Sequence, residues 1–140
     1  MARSMISTLL LVVLLAAPVV AQEAAQVVVT PVITTSTTAI GQPISLPRTN
    51  AEILASIYEI PVGVTLPVHK HPYHRYAYVL AGRLRVVATD SARTFDYAAG
   101  DMVIEIVNAW HYGVNIGDVP VRLLVIDQVE PGHGNTVIER

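Results

Sequence analysis

The chain has 140 residues, 52% of them hydrophobic and 14% charged, with eleven acidic against nine basic side chains and no cysteine. That length fits one domain with a modest core and leaves no room for a second, while the lack of thiols excludes disulfides, cysteine nucleophiles and thiolate metal sites. No basic run or stripe is present, so nucleic acid and anionic lipid have no electrostatic footprint to bind.

The first element is Met1–Ala21: one basic residue, Arg3, a largely apolar run from Ile6 to Ala17, and Val19-Val20-Ala21, a small-residue exit of the kind signal peptidase cleaves. The run falls short of the roughly 20 residues a membrane span needs, and no basic stop-transfer cluster follows it. We expect residues 1–21 to be a secretory signal, the product to be secreted or periplasmic, and no membrane attachment to remain after cleavage. Removing these 21 residues leaves 119, with eight basic and eleven acidic side chains.

Residues 22–41 are β-branched and lack helical spacing, which predicts an N-terminal arm or edge strand. Pro31 removes a ladder donor and favours an edge, or packing on a second copy in a homodimer. Residues 42–130 then read as short apolar alternations: Ile53 to Ile60, Val64 to His69, Tyr76 to Leu80, Leu84 to Ala88, Met102 to Val107, Tyr112 to Ile116 and Val121 to Val129. Turn chemistry separates them, as in Pro61-Val62-Gly63, Ala81-Gly82, Gly100-Asp101, Asn108 and Gly117-Asp118-Val119-Pro120. Ala51 to Ser56 is the one candidate for a helical turn. Many short strands at even spacing predict an all-β sandwich, jelly roll or barrel, with residues 131–140 as a C-terminal tail.

Three of the five histidines are placed in a way composition does not explain. His69 and His71 are two apart in a strand-like stretch, so both rings leave one face and reach one ion. His111 lies forty residues later in another strand candidate, and a barrel is the arrangement that brings it back to the pair. Neutral imidazoles suit Fe, Mn, Ni, Cu or Zn and, at three per ion, leave positions open for water or substrate.

The spacing around these histidines resembles the cupin family in two separated motifs. The first runs Gly63, five residues, His69-Lys70-His71, three residues, Arg75, six residues, Gly82; the second runs Gly100-Asp101, Ile106, one residue, Asn108, two residues, His111, three residues, Asn115. The resemblance implies a single jelly-roll β-barrel holding a divalent transition metal between His69, His71 and His111. Two departures stand out. Ile106 and Asn108 replace the usual Pro and Gly of the second motif, a mild change because Asn tolerates a left-handed turn. Arg75 stands where such proteins usually place a glutamate ligand.

A guanidinium has no lone pair to give, so Arg75 is not a ligand. Three readings stay open: Arg75 clamps an anionic substrate such as a carboxylate; it pairs with an acid, Glu105 being the nearest candidate; or the register differs and His74 turns inward as an extra ligand while Arg75 meets solvent. Glu105 reads first as that ion-pair partner, then as a general base or ligand. His74 otherwise belongs at the barrel mouth, His133 on the surface, and Trp110 and Tyr112 outside the barrel by alternation from His111. Asp101 is a turn residue.

Function divides along the same line. Similar three-histidine sites include oxygenases, which makes an oxygenase-like enzyme the first expectation and an isomerase or decarboxylase the second, each acting on a small, anionic molecule. A non-catalytic module that binds or senses a small molecule or metal is the reading from a different class, and a structural dimer with a swapped arm is the third.

Overall fold

A computed structural model describes residues 29–46 and 50–140; the expected signal, Met1–Ala21, and the start of the arm lie outside the described residues. The rest is built from strands, with no helix among the described residues. The strands are β1 (Glu52–Ile60), β2 (His69–Lys70), β3 (Arg75–Ala81), β4 (Arg83–Ala88), β5 (Thr94–Ala98), β6 (Met102–Ile104), β7 (His111–Asn115), β8 (Val121–Val129) and β9 (Val137–Ile138). Two antiparallel sheets, ordered β1-β8-β3-β6 and β5-β4-β7-β2-β9, pack as a jelly roll.

Period-two alternation decides what lies between the sheets. β3 buries Arg75, Ala77 and Val79; β8 buries Val121, Leu123, Val125 and Asp127; β4 buries Leu84, Val86 and Ala88; β7 buries His111, Gly113 and Asn115. The apolar members form one core with Ile60, Val103 and Ile106, where each large aliphatic side chain contributes about 1.5–3 kcal/mol. The polar members other than Asn115 gather at one end. Arg75 starts β3, Asp127 sits near the end of its antiparallel neighbour β8 directly across from it, and His111 starts β7 across from His69 of β2. The barrel interior is therefore greasy at one end and charged at the other.

Local chemistry fixes the turns. A single residue, Gly82, joins β3 to β4 at φ +82°, and a Cβ there would come within 2.8 Å of Pro120 O and Val121 Cα. Asn108 adopts the left-handed conformation anticipated for it, at φ 55°. Asp101 closes its turn by accepting the Ala98 amide at 2.7 Å. Asn115 is buried and structural: its side-chain amide donates to the carbonyls of Ile60 and Val119 and its oxygen accepts from Gly117.

Several boundaries differ from expectation. The helical turn at Ala51–Ser56 is strand, because Leu54 and Tyr58 alternate inward along β1 against β8. Val64 to His69 contributes only an isolated bridge at Thr65 and the short β2, since Pro67 interrupts the ladder. Met102 to Val107 ends as strand at Ile104. Residues 29–41 hold no strand, only a bridge from Thr37 to Pro43; Gln42 anchors the arm by exchanging two hydrogen bonds with the Val107 backbone, at 2.7 and 3.0 Å. β5 was not expected. The stretch 131–140, expected as a tail, returns to the sheet as β9 and pairs with β2.

Candidate metal centre

The three rings meet. Their centroids are 4.6 to 4.9 Å apart, and one ligand nitrogen from each of His69, His71 and His111 lies within 4.8 Å of the other two. All three side chains are buried, two of them on paired strands and His71 at a bridge to Val107 just past β2.

Which nitrogen faces inward follows from the other one. His69 Nδ1 meets Pro67 O at 2.7 Å, His71 Nδ1 meets Asn135 O at 2.6 Å and His111 Nδ1 meets Ala109 O at 2.9 Å. A carbonyl only accepts, so each Nδ1 carries the hydrogen and each Nε2 keeps its lone pair. The Nε2 atoms of His71 and His111 are buried with no hydrogen-bond partner among the described residues. Two buried acceptors left unsatisfied cost free energy unless something fills the space between them. A cation of the late first-row series fits that donor set.

Burial sets the charge state. It lowers all three imidazole pKa values, and His71, also repelled by the Arg75 charge, is pushed down to about 2. The rings are neutral at ordinary pH, as ligation requires.

Arg75 is buried, and of the three readings it follows the pairing with an acid, with Asp127 as the partner in place of Glu105. Its Nε and Nη2 donate to Asp127 at 2.7 and 2.8 Å, a bidentate pair across the β3–β8 ladder. Nη2 also reaches Thr136 Oγ1 at 3.3 Å and Tyr58 Oη at 3.4 Å. Burial works against the guanidinium charge, but Asp127 outweighs it and holds the pKa above its usual value. Asp127 lies 52 residues away in sequence, which is why spacing near the motifs did not reveal it.

Glu105 stands across the other edge of β3, its amide donating to Arg75 O at 3.0 Å. Its Oε2 is 3.6 Å from His111 Nε2, buried and without a hydrogen-bond partner among the described residues. Burial raises its pKa, against the pull of Arg75. A buried carboxylate thus lies beside His111, supplied by the residue that follows β6, although the ligand atoms that converge are those of the three histidines alone.

His74 is also buried, with Nε2 accepting the Ser45 amide at 2.9 Å and its ring stacked by Tyr76, so it neither joins the trio nor faces open solvent at the mouth. Trp110 and Tyr112 are half-buried on outward positions, and Lys70 Nζ lies 4.7 Å from the Trp110 ring. His133 is exposed.

The centre opens on a cavity of about 160 Å³, with His69, His111, Glu105 and Arg75 at one end and Leu84, Val86, Leu123 and Val125 at the other. Since roughly 10–15 Å³ seats one water, the cavity has room for a small molecule.

Comparison with known proteins agrees with this geometry. A sequence model described as "Cupin domain" matches residues 56–127. Oxalate decarboxylase OxdC of Bacillus subtilis (strain 168) is 35% identical over 83 residues, 56% of this chain and 22% of the relative. Among solved structures, the formate complex of Lactobacillus farciminis oxalate decarboxylase aligns over 61% of this chain and 26% of that one, at 31% identity and a TM-score of 0.51. The polyketide cyclase RemF of Streptomyces resistomycificus aligns over 63% of this chain and 62% of that one, at 23% identity and a TM-score of 0.52, a likeness of fold. The chain spans about a quarter of the length of the two decarboxylases.

Proposed function

The chain belongs to the cupin family, and on that premise we propose that it holds one divalent transition metal through His69, His71 and His111 and acts there on a small carboxylate. One observation carries the reading: three neutral imidazoles, each locked by its Nδ1 hydrogen bond, converge on a buried point where two Nε2 atoms have no other partner. Likeness to two oxalate decarboxylases above 30% identity favours a decarboxylase over an oxygenase.

Each remaining residue has a task in that chemistry. The metal, when bound, supplies a Lewis acid with open positions and, if iron or manganese, one-electron chemistry. Arg75 offers positive charge at the cavity wall; its Nη1 has no hydrogen-bond partner among the described residues. The aliphatic end excludes water and strengthens every charge interaction at the polar end. Loss of CO2 from a carboxylate requires a proton at the carbon left behind, and Glu105, with its raised pKa, is the group placed to hand one over. The apolar leader at Met1–Ala21 supports placing this chemistry outside the cytoplasm.

A second reading, a binding or sensing module without turnover, is favoured by the pairing of Arg75 with Asp127, which already occupies two of its nitrogens. Elemental analysis after loading with Mn, Fe, Ni, Cu or Zn tests both. One equivalent of metal is expected, lost on His69→Ala, His71→Ala or His111→Ala, with formate and CO2 released from oxalate by the manganese or iron form. No stoichiometric metal overturns the proposal; metal without turnover on oxalate or other small carboxylates leaves the binding module.

A further inference from the structure

The family match stops at residue 127, yet a residue beyond it reaches the candidate centre. After the turn at Pro131-Gly132, the chain buries Asn135 to 4% exposure between exposed neighbours, Gly134 and Thr136. Three hydrogen bonds hold it there. The Asn135 carbonyl accepts from His71 Nδ1 at 2.6 Å, its Oδ1 accepts the Tyr73 amide at 2.8 Å, and its Nδ2 donates to Asp127 Oδ1 at 2.6 Å. β9 then continues along β2, with Ile138 across from His69.

The contrast with the other two rings gives Asn135 its role. His69 and His111 are each oriented by the carbonyl two residues back in their own segment, Pro67 and Ala109. Those contacts are local in sequence. His71 has no such local partner; its orienting carbonyl comes from 64 residues further on and is held by the Asn135 side chain against Asp127, the acid that also carries Arg75.

We propose that Asn135 is a positioning residue for His71, fixing the ring's tautomer and direction from a segment outside the family match. The inference rests on the proposed metal centre for its consequence, because an outer partner that orients a ligating imidazole raises metal affinity. It rests on the hydrogen bonds alone for its geometry. Replacing the side chain leaves a carbonyl at position 135 but removes both contacts that aim it.

Cobalt(II) titration of the full chain tests the consequence. Asn135→Ala is expected to weaken Co2+ binding by about 10–100-fold and to alter the visible spectrum of the bound ion, while in a His71→Ala background the same change should add nothing to the residual affinity. Wild-type affinity and spectrum in Asn135→Ala, or an equal further loss in the His71→Ala background, overturn the proposal. Asn135→Ser is the milder variant if the alanine protein does not fold. A readout independent of metal comes from the metal-free wild type, where the His71 Nδ1–H should give a slowly exchanging NMR resonance with a nuclear Overhauser contact to residue 135. Its absence there overturns the positioning role. A protein that shows the resonance and takes up no cobalt contradicts the proposed function and leaves the positioning intact.

Discussion

Arg75 shows how one substitution within a motif is accommodated by residues far outside it. The guanidinium is buried, and Asp127 is the acid that pairs with it, bidentately, with both side chains about nine-tenths covered. Breaking such a pair from one side leaves a charge in low dielectric with nothing opposite. Asp127→Asn should therefore cost about 3–5 kcal/mol, read as a shift in the denaturant midpoint at unchanged slope. The exposed pair Arg85–Asp96 has equally short contacts, at 2.6 Å, but both partners are solvated. Asp96→Asn should leave the midpoint near that of the wild type. Equal effects at the two sites would mean that burial is not what makes the Arg75 pair matter. The histidines were legible in the sequence because two short spacings name them. Asp127 and Asn135 were not, because a residue brought in from a distant segment, by strand register for Asp127 and by the return of the chain before β9 for Asn135, leaves no local signature.

At the scale of elements, long alternating runs with turn residues at both ends were legible, as in β1, β3, β4, β7 and β8. β5 was missed although its signal is present: Phe95 and Tyr97 alternate with exposed residues after the turn at Thr89-Asp90. Asp96 between them is no obstacle, because on an edge strand an outward acid pairs across the ladder with Arg85. β9 is two residues long and pairs along the free edge of β2, a contact that so short a run does not announce in sequence. The β3–β4 connection allows a sharper test of how sequence fixes architecture. Gly63 and Gly82 both have positive φ, but only Gly82 has backbone atoms where a Cβ would go. Gly63→Ala should cost about 1–2 kcal/mol from conformation alone. Gly82→Ala should cost clearly more, since Pro120 and Val121 are backbone neighbours at the start of β8 and cannot swing aside. Thermal melts of the two variants decide it, and equal losses would show that the close approach is not real.

Over the whole molecule, the same burial that readies the site for metal makes the fold sensitive to acid. The folded pKa values of His69, His71, His74 and His111 lie below 6.5, with His71 at about 2. Below pH 6.5 the unfolded chain takes up protons that these rings refuse, so folding stability falls as pH drops from 6.5 toward the folded values. Glu105 has the opposite sign: its folded pKa is raised above 4.5, so its contribution is present in acid and lost as pH rises through that folded value. Four groups against one leave a net loss of stability on the acid side. Metal binding behaves differently, because burial lowers the pKa of all three ligand rings in the native state, so protons compete for their Nε2 atoms only at a lower pH than they would for exposed imidazoles. Saturating metal, at about 100 times its dissociation constant, adds about 2.7 kcal/mol to the native state. Melting temperatures of the metal-free and metal-loaded protein should therefore both decline as pH falls below 6.5, while the gap between them closes only at a lower pH than an exposed imidazole would give. A gap that closes with a midpoint near 6.5 would mean that the ligating imidazoles titrate like exposed ones, and the buried, pre-neutralised centre would have to be given up.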